Sequence, residues 1–374
     1  MLSWLRRAIT RMRMMIDSER LLEAFLALLR IESPSGREDE IAGHLMDRLA
    51  ALGVEATRDG AGNVIGRWKG EGVPFLLTAH MDTVTPCRGV EPVVEGGIIR
   101  PKGDTILGAD DKSGIAQILE MIAAVEEQGL AHRSVEVVFT VGEEVGLIGA
   151  KGLDTGGLEA EWAVVLDHNK IGEIVVRAPS HDCLRAVIRG RAAHAGARPE
   201  DGISAIRVAA EAIASMKLGR IDEETTANIG VIHGGTATNI IPAEVELEGE
   251  ARSRDEAKLK AQVEGMAGAL RDAVARHGAE MGLEVIRGYT AYERRPEDEV
   301  VRRLAAAIRS LGLEPALVGS GGGTDGNIFN SRGIPAVVSG TGMEDAHSWN
   351  EHIAVDDLAM GARLLVALAT AASG

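Results

Sequence analysis

Hydrophobic spacing divides the chain into helix-like and strand-like stretches. After Asp17 and Ser18, either of which can cap a helix, LLEAFLALLRI carries apolar residues at helical spacing. SPSGRE breaks that pattern. A second amphipathic helix is predicted over residues 38–52, ending at Gly53. Short apolar runs at Val64–Trp68 and residues 74–78, the latter just before His80, read as strands. Residues 110–128 predict a helix with an acidic start and a Gly129 stop, and strands follow at 134–141 and 162–166. Apolar strands alternating with helices imply an α/β fold whose mostly parallel sheet is flanked by helices.

After about residue 180 the pattern becomes strand 184–190, helix 202–217, strands 228–233 and 244–251, helix 255–277 and strand 284–292. That β-α-β-β-α-β order predicts an inserted α+β unit of ferredoxin-like type. The helix–strand alternation then resumes: helix 297–311, strand 316–318, GGGTDG, strand 336–339 and helix 355–372. The expected division is therefore a basic tail over residues 1–16, a discontinuous catalytic domain over 17–180 and 293–374, and an insert over 181–292.

Composition narrows the class. With 374 residues, 45% apolar and 26% charged, the chain can bury a large core. A net charge of −16 disfavours nucleic acid as a partner, and 3% aromatic residues argue against base-stacking platforms. No apolar stretch approaches the ~20 residues of a membrane span, so stable membrane insertion is not expected. Two cysteines, Cys87 and Cys183, make no disulfide framework and fit a reducing, cytoplasmic compartment. Arg6, Arg7, Arg11 and Arg13 surround too short an apolar run for a signal peptide.

Chemistry-bearing residues gather at predicted strand ends, where open α/β sheets bind ligands. They are His80 and Asp82 in TAHMDTV, Asp110 and Asp111 in GADDKSG, Glu143 and Glu144 in VGEEVG, Asp167 in VVLDHN and His347 in EDAHSWNE. Each alone reads as ordinary cap or turn chemistry. Together they concentrate carboxylates at a cost that a divalent cation relieves. Imidazole nitrogen mixed with carboxylate oxygen suits Zn²⁺, with Mn²⁺ or Co²⁺ as substitutes. Asp82, two residues beyond His80, is expected to accept the His80 ring N–H and orient it.

HMDTV, GADDKSG, the GEE turn, the later LD, GGTDG and AHSWNE resemble the co-catalytic zinc peptidases that include peptidase T, carboxypeptidase G and the aminoacylases. The likeness runs over nearly the whole chain from about residue 17, and the EEVG turn and HSWNE ending look most like peptidase T. The resemblance implies two Zn²⁺ per subunit: His80 and Asp167 on one, Glu144 and His347 on the other, and Asp110 bridging. It implies Glu143 as general base, with Asp82 supporting the site, and a cis Asp110–Asp111 peptide bond. It also implies that the insert acts as lid and dimer surface, bringing His194 to the oxyanion and Asn239 and Arg252 to the substrate carboxylate. The function implied is an aminopeptidase acting on short peptides, tripeptides above all. A carboxypeptidase or N-acyl amino-acid deacylase of the same family is the alternative. Asp325 in GGGTDG reads either as facing substrate or as capping the next helix.

Overall fold

The computed structural model describes residues 16–371; the basic N-terminal segment falls almost wholly outside them. Within the described residues the chain forms two compact units. One comprises the chain up to Val176 together with Glu293–Gly319 and the chain from Thr324 onward; the other comprises Arg177–Tyr292 and Ser320–Gly323.

The first unit is built on a nine-stranded sheet. Its centre runs Arg133–Thr140, Glu71–His80, Ala163–His168, Ala336–Gly340, each neighbouring pair parallel. Antiparallel strands flank this centre, Val64–Trp68 on one side and Glu173–Ala178 on the other. Because strand side chains alternate between faces, each central strand feeds two cores. Phe75, Leu77, Val137, Phe139, Val164 and Val337 point to one face, where helices Ser18–Leu29, Ala109–Glu127, Glu299–Ser310 and Val355–Ala369 cover them. Leu76, Val138, Val165 and Val338 point to the other, against Phe329 of helix Asp325–Ser331. The continuous apolar character of these strands follows from burial on both sides.

Helix starts are set by side-chain caps. Asp17, not Ser18, caps the first helix: its Oδ1 accepts the N–H of Glu19 and Arg20, each at 3.0 Å. Two features lay below the reach of periodicity. Strand Glu173–Ala178 has only Ile174, Val175 and Val176 as its apolar run, too short to show a period. A four-stranded sheet pairs Met343–Glu344, His352–Ala354, Ile98–Pro101 and Pro92–Glu95 in that order. Strands of two to four residues are too short to show an alternation.

The second unit has a five-stranded sheet ordered Gly219–Arg220, Thr225–Gly234, Glu244–Ser253, Ser180–Arg189, Glu280–Tyr289, with antiparallel pairs throughout. Helices Ala205–Ser215 and Glu256–His277 pack on one face over Leu184, Ala186, Ile188, Val245 and Leu247. The other face carries charged ladders such as Arg189–Glu244 and Arg185–Glu248. Its last strand begins at Glu280 and ends at Tyr289, earlier at both ends than the spacing predicts, because Glu280, Gly282 and Glu284 extend along Arg189, Val187 and Arg185.

Phe75 is fully buried and stacks on Trp162 with ring centroids 4.5 Å apart. Phe75→Ala is expected to destabilise the first unit by about 3–5 kcal/mol, read as a lower urea midpoint. A loss under about 1 kcal/mol would contradict the packing described.

Candidate active site

Parallel strands place their C-terminal ends on one edge, and the chemistry collects there. His80 is the last residue of Glu71–His80 and lies beside Thr140 in the parallel ladder. Asp167 sits at the end of the neighbouring strand Ala163–His168, and Glu143 and Glu144 follow Arg133–Thr140. Asp110 and Asp111 open helix Ala109–Glu127, but their ψ angles of 106° and 32° leave the helical region, and the peptide bond between them is cis. Regular turns begin later than the predicted residue 110. Gly114 lets this helix start lie close to the Asp167 strand: a Cβ there would sit 2.5 Å from Asp111 Oδ1 and 2.8 Å from Leu166 Cβ. His347 lies between the short strands Met343–Glu344 and His352–Ala354, with φ 62°, a left-handed backbone rare outside glycine.

The side chains converge. Asp110 reaches both histidines, with Oδ1 3.0 Å from His80 Nε2 and Oδ2 3.3 Å from His347 Nε2. His347 Nε2 is also 2.8 Å from Glu144 Oε1. Single ligand atoms of His80, Asp110 and Glu144 lie within 4.8 Å of one another, and so do those of His80, Glu143 and Asp167. Among the described residues none of Asp82, Asp110, Glu143, Glu144 or Asp167 is ion-paired with Lys or Arg. Four carboxylates, Asp110, Glu143, Glu144 and Asp167, converge with two imidazoles, and no Lys or Arg among the described residues balances them. The donor set therefore fits divalent cations.

Asp82 corrects one expectation. His80 Nδ1–H donates to the Asp82 backbone carbonyl at 2.8 Å, while the carboxylate stands 3.5 Å away. The carboxylate is committed elsewhere: Oδ1 accepts the Glu143 N–H at 2.9 Å, and Oδ2 accepts the Glu144 N–H at 3.2 Å and the Ser35 hydroxyl at 2.7 Å. The preceding amides are held in the same way. Gly142 N–H donates to Glu38 Oε1 at 3.0 Å and Val141 N–H to Asn63 Oδ1 at 3.1 Å. Four consecutive backbone N–H groups of the GEE turn thus end on three side chains. Sequence reasoning missed Ser35, Glu38 and Asn63. SPSGRE read as a helix break, whereas its Glu38 Oε1 accepts both the Gly36 N–H of its own turn and the Gly142 N–H of the distant one, each at 3.0 Å.

The remaining candidates separate. Asp325 does not cap its helix; Thr324 does, accepting from Gly326 N–H at 3.1 Å. Asp325 is instead buried and accepts the Thr140 hydroxyl at 2.6 Å. In the second unit His194 Nδ1 accepts the N–H of Gly196 and Ala197, each at 3.1 Å, which leaves the proton on Nε2. Ala195 N–H donates to the Asn239 carbonyl at 2.9 Å, tying those two loops together. Arg252 is engaged by Glu250 at 2.9 Å, which also meets His181 at 3.0 Å.

Charge crowding shifts the titrations. Burial, then the Asp167 charge, pushes Glu143 well up, and burial, then Asp110, pushes Asp167 up. Burial opposes ionisation of Asp110, but the hydrogen bonds from His347 and His80 win and hold it low. The partners Asp110 and Glu144 raise His347 to about 10 from 6.5. With chelator present, stability from His347 is complete below pH 6.5 and is lost as pH rises through about 10. His347→Ala should therefore flatten the alkaline limb of the melting temperature against pH. Identical limbs for both proteins would contradict this pairing.

Comparison with known proteins gives the family of the chain. Residues 76–371 match the model of peptidase family M20/M25/M40. An uncharacterised Bacillus subtilis protein, YqjE, is 43% identical over 95% of this chain and 98% of its own. The crystal structure of the aminopeptidase PepT from Bacillus cereus is 42% identical, covers 95% of this chain and 99% of that one, and superposes with a TM-score of 0.84. A tripeptidase from Staphylococcus aureus is 40% identical over 95% and 98%, with a TM-score of 0.89. The chain belongs to peptidase family M20/M25/M40 and is a peptidase.

Proposed function

We propose that this peptidase is a di-metal aminopeptidase that removes the first residue of tripeptides. The observation that carries the metal centre is Asp110, which spans His80 and His347 with its two oxygens. In this reading His80 and Asp167 hold one cation, Glu144 and His347 the other, and Asp110 both. Zn²⁺ is the proposed metal, with Mn²⁺ or Co²⁺ as substitutes, because nitrogen and oxygen donors are mixed. Bound there, the pair would supply an acidified water and polarise the scissile carbonyl.

The chain's own groups do the rest. Glu143 has no ion-pair partner among the described residues, and in this reading it is the base that takes the water's proton and passes it to the leaving amine. Asp82 holds the amides of Glu143 and Glu144 and so aims the base. His194, with its proton on Nε2, is the proposed oxyanion donor, and Asn239 and Arg252 are proposed to grip the substrate carboxylate. The tripeptide preference draws on the two relatives at 40–42% identity named for aminopeptidase and tripeptidase activity. A cytoplasmic setting is part of the proposal and rests on the cysteine content alone.

A homodimer through the second unit is also proposed. Strand Thr225–Gly234 has only the two-residue Gly219–Arg220 beyond it, which pairs with Ala227 and Thr226. Val231 and Ile232 on the rest of that edge are 39% and 49% exposed, a row open to a second copy.

Glu143→Gln should lower kcat by about 10²–10⁴-fold while metal content stays at the wild-type level. The wild type should cleave free tripeptides and lose turnover when the α-amine is acetylated. Full activity of the variant would remove Glu143 as base, and faster cleavage of N-acyl amino acids than of tripeptides would replace the aminopeptidase reading with a deacylase. Sedimentation at micromolar concentration should give a dimer; monomer alone would sink the edge-pairing idea.

A further inference from the structure

Glu351 closes the HSWNE segment, four residues after His347, and is completely buried. Among the described residues no Lys or Arg ion-pairs with it. Its carboxylate instead collects backbone N–H groups from one loop: Oε2 accepts from Leu107 and Gly108, both at 2.8 Å, and Oε1 accepts from Asp110 at 3.0 Å. Gly108 sits at φ 79°, a left-handed turn that aims successive amides at one point. Glu351 is anchored in turn, because the next residues pair with the small sheet, Ile353 opposite Ile99 and Met343 opposite Ile353.

We propose that Glu351 is a positioning residue of the metal centre, which fixes the Asp110 carboxylate and locks the Asp110 loop to the loop carrying His347. The inference rests on the di-metal reading above. A buried carboxylate bonded to three amides is a rigid tie, since leaving those donors or that charge unpaired is costly. The two loops it joins are those whose side chains, Asp110 Oδ2 and His347 Nε2, meet at 3.3 Å. A tie at the backbone of one loop and the base of the other sets that spacing before any cation arrives. Groups that orient ligands in this way change metal affinity by about 10–100-fold when altered.

Glu351→Gln keeps the volume but turns an NH₂ group toward backbone N–H donors. Zinc affinity of the two sites would be measured by competition with a chromogenic chelator, alongside circular dichroism and tripeptide kinetics. The variant should stay folded, bind zinc about 10–100-fold more weakly at one or both sites, and lose kcat more than KM. A folded variant with wild-type affinity at both sites would overturn the proposal. If Glu351→Gln does not fold, Gly108→Ala moves the donors instead of the acceptor and should weaken zinc in the same way; wild-type affinity there would equally overturn it. Wild-type protein binding fewer than two zinc ions would overturn the di-metal reading itself and the inference with it, an outcome distinct from a silent variant.

Discussion

Like charges brought together out of water are the constraint on which this structure turns. Asp110, Glu143, Glu144 and Asp167 crowd the C-terminal edge of one parallel sheet with two imidazoles among them. An uncompensated buried carboxylate costs several kcal/mol, so the arrangement calls for protons or cations to balance it, and its mixed nitrogen and oxygen donors fit divalent cations. Burial pushing Glu143 and Asp167 up, while the two histidines hold Asp110 down, is the electrostatic trace of that demand. The family assignment gives the demand a purpose: a peptidase needs an activated water, and a cation cluster is one way to obtain it at neutral pH.

Backbone amides supply a second form of compensation. Carboxylates that face away from the cluster end on N–H groups of the loops that carry it: Asp82 and Glu38 on the GEE turn, Glu351 on the turn before Asp110. A carboxylate accepting several N–H bonds holds its donors in place, although at Glu351 burial still outweighs those bonds and raises the carboxyl. The loops at the strand ends therefore take their shape from distant acids together with their own left-handed glycines, while the apolar sheet beneath carries the strand ends.

The α/β class was legible because two-sided burial writes itself as apolar runs, as in VEVVFTV. Short strands such as Pro92–Glu95 were not, since four residues show no period. At the site, residue type and strand-end position were enough to single out His80, Asp110, Glu143, Glu144, Asp167 and His347, which the fold brings together. What stayed hidden was which atom of a residue does the work. Asp82 was expected to hold His80 by its carboxylate; the carbonyl does so, because the carboxylate is drawn to the Glu143 and Glu144 amides. Asp325 could be cap or not until Thr324 was seen to cap and Asp325 to turn inward to Thr140. Such pairings span tens to hundreds of residues and leave no local pattern.

The central claim is that this carboxylate cluster exists to hold a pair of cations. Anomalous diffraction at the zinc edge, from crystals of zinc-loaded protein, tests it most directly. Two peaks on either side of the Asp110 carboxylate, one beside His80 and one beside His347, are the predicted result. A single peak, or zinc bound only at the protein surface while the cluster stays free of metal, would contradict the account.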